Sequence, residues 1–128
     1  MRVLLLVGLG GGLGAVARYM MGHAVFRLWP MTFPLGTLVI NVLGAVLMGL
    51  FAGFISQRGG SEAESLRQFV AVGLLGGFTT FSTFSLETVA LIERGALIQA
   101  GGYVLLSVVV CLIGLYLGLL VSRGISVA

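Results

Sequence analysis

Long apolar runs alternate with short polar segments along the whole chain. The polar segments are "RLWPMTFP" (27–34), "QRGG" (57–60) and "ERG" (93–95). A helix that crosses a membrane requires about 20 mainly apolar residues, and the runs between these segments reach that length. The pattern predicts four transmembrane helices, at about 3–26, 34–56, 66–92 and 97–121. Because the connections are short, consecutive helices are expected to be antiparallel neighbours.

Small residues recur four positions apart within these runs. Lipid supplies no hydrophobic drive between helices, so such spacing predicts faces where helix backbones approach closely. The predicted packing positions are Gly8/Gly12, Gly10/Gly14, Ala45/Gly49/Gly53 and Gly114/Gly118.

Composition agrees with a membrane protein and excludes several function classes. Hydrophobic residues make up 59% of the 128-residue chain and charged residues only 9%, against about a quarter charged residues in soluble domains. We therefore predict one all-α integral membrane domain over residues 1–128, surrounded by lipid. The net charge of +3 is scattered, which argues against nucleic-acid binding. With one Cys, one His and no paired acids, no enzyme nucleophile–base pair can be built.

The first apolar run leaves two interpretations open. "MRVLLLVGLGGGLGAVAR" has an early Arg, an apolar stretch and an Ala-Val-Ala triplet, features that a cleaved signal peptide also has. The apolar stretch continues to Val25, and that length exceeds a signal core. We favour an uncleaved first span.

Arginines give only a weak orientation signal. Four spans place both termini and the 57–66 loop on one side, together with Arg2, Arg58, Arg67 and Arg123. The other side has Arg27 and Arg94, with Arg18 late in span one. Cytoplasmic loops carry the excess of basic residues, so the termini lean weakly towards the inside. A bias this weak is compatible with insertion in both orientations.

The segment "GGFTTFSTFS" (76–85) places two glycines and five hydroxyl side chains in the middle of the third span. Gly weakens a helix by about 1 kcal/mol relative to Ala, and hydroxyl groups offer partners to freed backbone groups. We predict that the third helix is broken near the membrane midplane, where non-helical backbone lines a cavity or is buried in protein. Broken helices commonly bind ions. The alternative is a glycine-kinked helix whose hydroxyls bond their own carbonyls.

Phenylalanines recur every three residues in this segment, at Phe78, Phe81 and Phe84, and would share one helix face. An aromatic ring has a positive edge. Rings presented edge-on to a polar cavity can therefore hold a small anion without a full positive charge. Ordinary core packing accounts for the same spacing.

Span four carries a stripe of polar side chains. Tyr103, Ser107 and Cys111 follow i, i+4, i+8 spacing, so they lie on one helix face. The stripe predicts a ladder of hydrogen-bond donors along this helix.

Further polar residues lie on the other spans. Asn41 is in the middle of span two, with Thr37 one turn earlier, and a buried Asn in lipid marks an interhelical hydrogen bond or a substrate path. Glu87 and Arg18 lie within spans, where charge is expensive and is a functional candidate by default. The alternative for both is a position near the interface, with the charge among headgroups.

Three motifs together resemble a known family, the small bacterial fluoride channels (Fluc, also called CrcB). They are "GGLGAVARY" (11–19), "GTLVINVLGAVLMG" (36–49) and "GLLGGFTTFSTFSLE" (73–87). The last is the most specific, because its Phe and hydroxyl spacing is hard to obtain by chance in a membrane helix. The resemblance covers the whole chain.

The resemblance implies a passive fluoride-selective channel in the bacterial inner membrane that lowers cytoplasmic fluoride. It further implies an antiparallel, dual-topology homodimer with two pores and one central structural Na⁺. The Na⁺ would be held by the backbone carbonyls of Gly76 and Thr79. The fluoride pathway would comprise Phe81, Phe84, Asn41, Tyr103, Ser107, Thr37, Glu87, Cys111 and Arg18. Cys111 departs from the Ser or Thr of typical members, and a thiol is the weaker donor.

The chemistry suits fluoride, which is small and strongly hydrated. A dry pore must replace water's hydrogen bonds with hydroxyl, amide and ring-edge contacts. A fixed cation in the narrow part would trap the ion, whereas several modest sites in series release it. HF enters cells neutral and dissociates, and the membrane potential then drives the anion out, at about 2.3 kcal/mol per charge per 100 mV.

Two alternatives are weaker. A small multidrug-resistance-type antiporter also has four spans, but it requires a membrane-embedded carboxylate in span one, where this chain has Arg18 and no acid. A non-transporting structural subunit would explain the glycines but not Asn41 or the Thr/Phe segment.

Overall fold

The computed structural model describes residues 1–127, and side chains as far as residue 124. Its helices are α1 (Arg2–Leu28), α2 (Leu35–Ile55), α3 (Gly60–Leu66), a π-helical segment (Arg67–Leu75), α4 (Gly76–Phe78), α5 (Phe81–Glu93) and α6 (Leu97–Val127). Four helical stretches are long and apolar enough to cross a membrane, the third being Gly60–Glu93. The prediction of four spans in an all-helical chain is confirmed. The third starts earlier than the predicted residue 66.

Two extended residues separate α4 from α5. Thr79 has φ −78° and ψ 160°, and Thr80 has φ −152° and ψ 119°. The glycine pair at 76–77, which the sequence suggested as the weak point, belongs to α4, and Gly76 has helical dihedrals of φ −62° and ψ −38°. The glycines therefore do not interrupt the helix, and the irregular backbone comes two residues after the pair.

Two glycines of the third span, Gly73 and Gly77, pack closely against α1. A Cβ on Gly77 would lie 2.5 Å from the carbonyl oxygen of Gly11, and one on Gly73 would lie 3.0 Å from the Cα of Gly10. Lipid supplies no hydrophobic drive between helices, so small residues that let backbones approach take over that role. Gly14 of α1 likewise faces the backbone of Leu74. The predicted Gly10/Gly14 packing pair is confirmed.

The most extensive helix contact joins α2 and α6. It also depends on small residues: Gly49 faces the backbone of Leu115, and Gly118 faces the backbone of Val46 and Leu50. The predicted packing role of Gly49 and Gly118 is confirmed. The predicted Gly8/Gly12 pair is different, because a Cβ at either position would meet nothing within 4 Å. That pair therefore packs against no other helix among the described residues.

The interior of the protein is centred on α5 and α6. Phe84, Leu91, Ala100 and Tyr103 form a buried cluster, and Tyr103 is 0% exposed. The α5–α6 connection is short, since α6 begins at Leu97, so the two helices run antiparallel and hold Phe84 and Tyr103 against each other. This packing positions the polar residues described below.

Replacement of Gly118 by Ala should destabilise the subunit. Its Cβ would lie 2.5 Å from the Val46 carbonyl oxygen and 2.9 Å from the Leu50 nitrogen, and relief of such overpacking costs about 1–3 kcal/mol. Gly101→Ala on the same helix is the matched control, because nothing lies within 4 Å of its Cβ. The measurement is the unfolding midpoint in detergent. Equal midpoints for the two variants would contradict the packing described here.

Candidate functional site

The side-chain amide of Asn41 holds the backbone of Thr80. Its Oδ1 accepts a hydrogen bond from the Thr80 N–H at 2.8 Å, and its Nδ2 donates to the Thr80 carbonyl at 2.9 Å. In a continuous α-helix that N–H would donate to the carbonyl of Gly76, four residues earlier. Asn41 therefore replaces the helical partner and stabilises the extended conformation between α4 and α5. Of the two roles considered for Asn41, the interhelical hydrogen bond is present.

Thr80 also starts the next helix. Its side-chain oxygen accepts a hydrogen bond from the Thr83 N–H at 3.1 Å, which makes it the N-cap of α5. N-cap hydroxyls satisfy one of the donors that a helix start leaves free. Phe81 is consequently the first residue of α5, and the helix N-terminus lies beside its ring.

A groove of about 400 Å³ runs along this helix start. Its lining includes Asn41, Thr80, Phe81, Phe84, Ser107 and Cys111, with Gly44, Met48 and Leu115 among its apolar members. The groove brings together five of the nine pathway residues expected from the sequence. It is mainly apolar with a few polar groups, the usual composition of a binding site.

Two phenylalanines face this groove and a third does not. The rings of Phe81 and Phe84 are 5.4 Å apart, and Phe81 is 78% exposed whereas Phe84 is 8% exposed. Phe78 is buried, with its ring next to Gly44 and its backbone against Gly14 of α1. The expected single stripe of three phenylalanines is therefore wrong, because the extended residues 79–80 change the direction in which the chain presents its side chains.

Ser107 has an unsatisfied hydroxyl in the groove. It is 7% exposed, and its Oγ is the buried side-chain polar atom that lacks a hydrogen-bond partner within the described residues. A buried polar group without a partner costs roughly 1–3 kcal/mol, so such a group in a native structure requires an explanation, for example a water molecule or an ion that it binds. Cys111, one turn further along α6, lines the same groove.

The third member of the stripe belongs to a different cluster. Tyr103 donates from its hydroxyl to Oε2 of Glu87 at 2.7 Å, and Thr37 donates to Oε1 at 2.8 Å. The Phe84 ring lies 5.1 Å from the Tyr103 ring. The expected donor ladder is thus divided: Ser107 and Cys111 face the groove, whereas Tyr103 is directed to the carboxylate of Glu87. The contact between the Phe84 and Tyr103 rings connects the groove with the Glu87 cluster.

Arg18 contacts the extended segment from the opposite side. Its Nη1 donates to the carbonyl of Thr79 at 3.2 Å. Arg18 does not line the groove but a second cavity of about 370 Å³, shared with Tyr19, His23 and Thr83. The half-buried guanidinium therefore lies next to the α4–α5 connection.

The cavities of the subunit share residues. Thr80 lines both the groove and the Arg18 cavity. Thr37 lines the Arg18 cavity and a third cavity of about 340 Å³, which also contains Glu87 and Arg94. The remaining expected residues, Thr37, Glu87, Tyr103 and Arg18, thus surround the groove without lining it. Gly76 has no side chain to place and is exposed.

Comparison with known proteins assigns the chain to a family. The profile described as "CrcB-like protein, Camphor Resistance (CrcB)" matches residues 5–119. The chain belongs to the CrcB family. It is similar to proteins named "Fluoride-specific ion channel FluC" from Caulobacter sp. strain K31, at 46% identity over 125 residues, and from Roseobacter denitrificans, at 50% over 127 residues. Both alignments cover 98% of this chain and 98% of the relative.

A third relative of the same name, from Phenylobacterium zucineum, is 49% identical over 125 residues. The relatives are named as ion channels, in agreement with the prediction that this CrcB-family chain is not an enzyme. Four membrane-spanning stretches and bacterial channel relatives make it a multi-pass protein of the bacterial inner membrane. The family resemblance stated from the three motifs is confirmed.

The sequence interpretation missed the central position of Thr80 in this CrcB-family subunit. The residue is held by Asn41 and caps α5. A local signal existed, because Thr is a preferred N-cap residue and the apolar helical pattern resumes directly after it.

Replacement of Asn41 by Ala should destabilise the subunit by about 1–3 kcal/mol. The substitution removes both hydrogen bonds to the largely buried Thr80 backbone, and interhelical hydrogen bonds in membranes contribute about 0.6 kcal/mol each on average, more when no other partner exists. Val39→Ala is the control, because Val39 lies on the same helix and is partly exposed. The measurement is the unfolding free energy in micelles. A loss no larger for Asn41→Ala than for Val39→Ala would refute the anchoring role.

Proposed function

We propose that this CrcB-family chain is a passive fluoride-selective channel subunit that lowers cytoplasmic fluoride. The observation that carries the proposal is the unpartnered, buried hydroxyl of Ser107 in a groove with two phenylalanine rings. An acceptor ion in the groove satisfies that hydroxyl. The relatives' printed name, fluoride-specific ion channel, supports the choice of ion.

The proposed site supplies donors for a small anion from three directions. Ser107 donates its hydroxyl. The Asn41 nitrogen has two N–H groups, one of which donates to Thr80, and we assign the second to the ion. The N-terminus of the 13-residue helix α5 adds free N–H groups and the positive end of its dipole. The ring edges of Phe81 and Phe84 complete the shell.

The absence of a fixed charge accounts for passage rather than tight binding. Within the described part of the chain, no charged side chain lines the groove. A small dehydrated anion next to a guanidinium or ammonium would be held too strongly to leave, whereas several modest contacts in series permit conduction. Arg18 does not line the groove, and its guanidinium donates to the Thr79 carbonyl. From there its charge attracts anions without contacting an ion in the groove.

The cluster of Thr37, Glu87 and Tyr103 is proposed to continue the pathway beyond Phe84. Both oxygens of the Glu87 carboxylate accept hydrogen bonds from hydroxyls, which disperses the negative charge that an approaching anion meets. The neighbouring cavity of about 340 Å³ is assigned as the vestibule, with Arg94 in its lining. An anion leaving the groove would reach this cavity past the Phe84 and Tyr103 rings.

We further propose that two subunits form an antiparallel homodimer with two pores. The support is the openness of the site in one subunit, where Phe81 is 78% exposed. A path for a dehydrated ion must be enclosed, and a second copy closes the groove. The weak arginine bias supports the antiparallel arrangement, because it gives neither orientation a strong preference.

A structural Na⁺ at the dimer centre is proposed on the backbone oxygens of Gly76 and Thr79. The Gly76 carbonyl fits, because the N–H that would satisfy it in a helix is bonded to Asn41 instead. The Thr79 carbonyl accepts one hydrogen bond from Arg18 and has a second lone pair for a cation. Carbonyl oxygens are suitable ligands for hard cations, and a bound Na⁺ would compensate the free carbonyls at the end of α4.

Fluoride efflux from liposomes tests the proposed function. Purified protein should release fluoride rapidly down its gradient and release chloride far more slowly, because the narrow donor-lined groove suits the smaller ion. The measurement uses ion-selective electrodes for both ions, with protein-free liposomes as the blank. Equal release of the two ions would remove the basis for fluoride selectivity.

Variants in the same assay test the individual groups. Ser107→Ala and Phe81→Leu each remove one contact of about 1–3 kcal/mol, so fluoride efflux per folded protein should fall roughly 5- to 150-fold. Ser65→Ala on the exposed part of α3 and Phe78→Leu in the core are the controls, and neither residue lines the groove. If the groove variants and the controls lose efflux equally, the groove is not the pathway.

Orientation and sodium have separate tests. Gly59→Cys in a Cys111→Ser background places one thiol in an exposed loop. In an antiparallel dimer, a membrane-impermeant maleimide should label about half of this cysteine in sealed vesicles and all of it after permeabilisation. Labelling of all or none of the thiols in sealed vesicles excludes the antiparallel dimer.

The structural Na⁺ is tested by ion replacement. Replacing Na⁺ by N-methylglucamine should lower the dimer's unfolding midpoint, because a bound ion stabilises the folded state. An unfolding midpoint that does not depend on Na⁺ excludes the structural ion.

A further inference from the structure

We propose that Cys111 is a thiol-modification site at which small neutral electrophiles stop ion passage through the groove. The inference rests on the proposed function, because it concerns regulation of the same pathway. Cys111 is the single cysteine of the chain and lines the groove together with Asn41, Phe81 and Phe84. Any change of its side chain therefore changes the volume and the donors available beside those groups.

A second observation places the thiol where a ligand passes. Ser107 lies one helical turn from Cys111, lines the same groove, is 7% exposed and has no hydrogen-bond partner for its Oγ within the described residues. Residues four apart on a helix are neighbours on one face. The thiol and the unsatisfied hydroxyl thus point to one position in the groove, and a group attached to the sulfur would occupy the space of the ion that Ser107 binds.

The groove selects the kind of reagent. No acidic side chain lines it within the described residues, so a cationic reagent would have to enter without compensation, which is unfavourable. A small neutral alkyl methanethiosulfonate meets the requirement. The Cys111 sulfur attacks the sulfenyl sulfur and a disulfide forms. The S–SO₂ bond breaks, methanesulfinate leaves with the bonding electrons, and the thiol proton goes to it or to water.

The modification has two physical effects. The alkylthio group adds apolar volume within the groove of about 400 Å³, and the S–H donor is lost. Larger alkyl groups fill more of the space, so block should increase from methyl to propyl to benzyl reagents. A thiol reductant such as dithiothreitol reverses the reaction by reducing the mixed disulfide, and passage should return.

The experiment combines labelling with flux on the intact protein in liposomes. Intact-mass spectrometry gives the fraction of Cys111 modified, and the fluoride electrode gives the efflux rate relative to the same sample before treatment. We expect benzyl methanethiosulfonate to modify the native protein and to lower efflux about tenfold, equivalent to ~1.4 kcal/mol. Dithiothreitol should restore the rate, and fluoride should slow the labelling.

A matched cysteine controls for modification in general. Ile113→Cys in a Cys111→Ser background puts the thiol two residues along α6, about 200° around the helix, at a position that is 52% exposed and does not line the groove. Its labelling should leave efflux unchanged relative to its own untreated rate. Cys111→Ser alone should be neither labelled nor blocked.

The outcomes separate this inference from the proposed function. Full labelling of Cys111 with unchanged efflux overturns the modification site and leaves the channel intact. Labelling only after denaturation overturns it too, because the groove then gives no access. Equal block of the Ile113→Cys protein overturns the site-specific effect. Lack of fluoride efflux before any reagent is added rejects the proposed function itself, and the inference with it.

Discussion

The paired hydrogen bonds between the Asn41 amide and the Thr80 backbone are the interaction on which the site depends. They satisfy the Thr80 N–H, which has no partner within a helix, and add a hydrogen bond to the Thr80 carbonyl, both from a neighbouring helix. The third span can therefore stop and restart without leaving those groups bare in a medium that offers no water. The restart fixes where α5 begins, and with it the direction of the Phe81 ring.

The parts of the fold that depend on neighbouring residues in the sequence could be predicted. Length and apolarity identify the four spans, and the small-residue spacing of α1, α2 and α6 identifies the faces that pack closely. The position of the extended residues has a distant cause, because Asn41 and Thr80 are 39 positions apart. The glycine pair at 76–77 suggests a helix break by sequence, whereas Gly76 is helical and Gly77 packs against Gly11 of α1. The π-helical segment 67–75 has no sequence marker that we recognise.

The candidate site likewise has features that local sequence predicts and features that depend on distant residues. Hydroxyl, amide and aromatic side chains in the middle of apolar spans select the candidate residues, because polar groups are rare there, and five of the nine line one groove. Their grouping was not predictable, since helical spacing gives a face but not the partner that a long side chain reaches. Tyr103 and Ser107 share a face of α6, yet Glu87 draws the tyrosine hydroxyl to itself. The Ser107 hydroxyl has no such partner within the described residues, and it lines the groove.

The order of the chain has a consequence for biosynthesis. Protein synthesis delivers the N-terminal part first, so α2 and its Asn41 are already in the membrane when Thr79 and Thr80 leave the ribosome. The Asn41 amide is therefore present before the Thr80 N–H and carbonyl with which it forms hydrogen bonds. The reverse order would expose an extended, hydroxyl-rich segment to lipid until its partner was made. The final helix, α6, then arrives to cover Phe84 and complete the subunit.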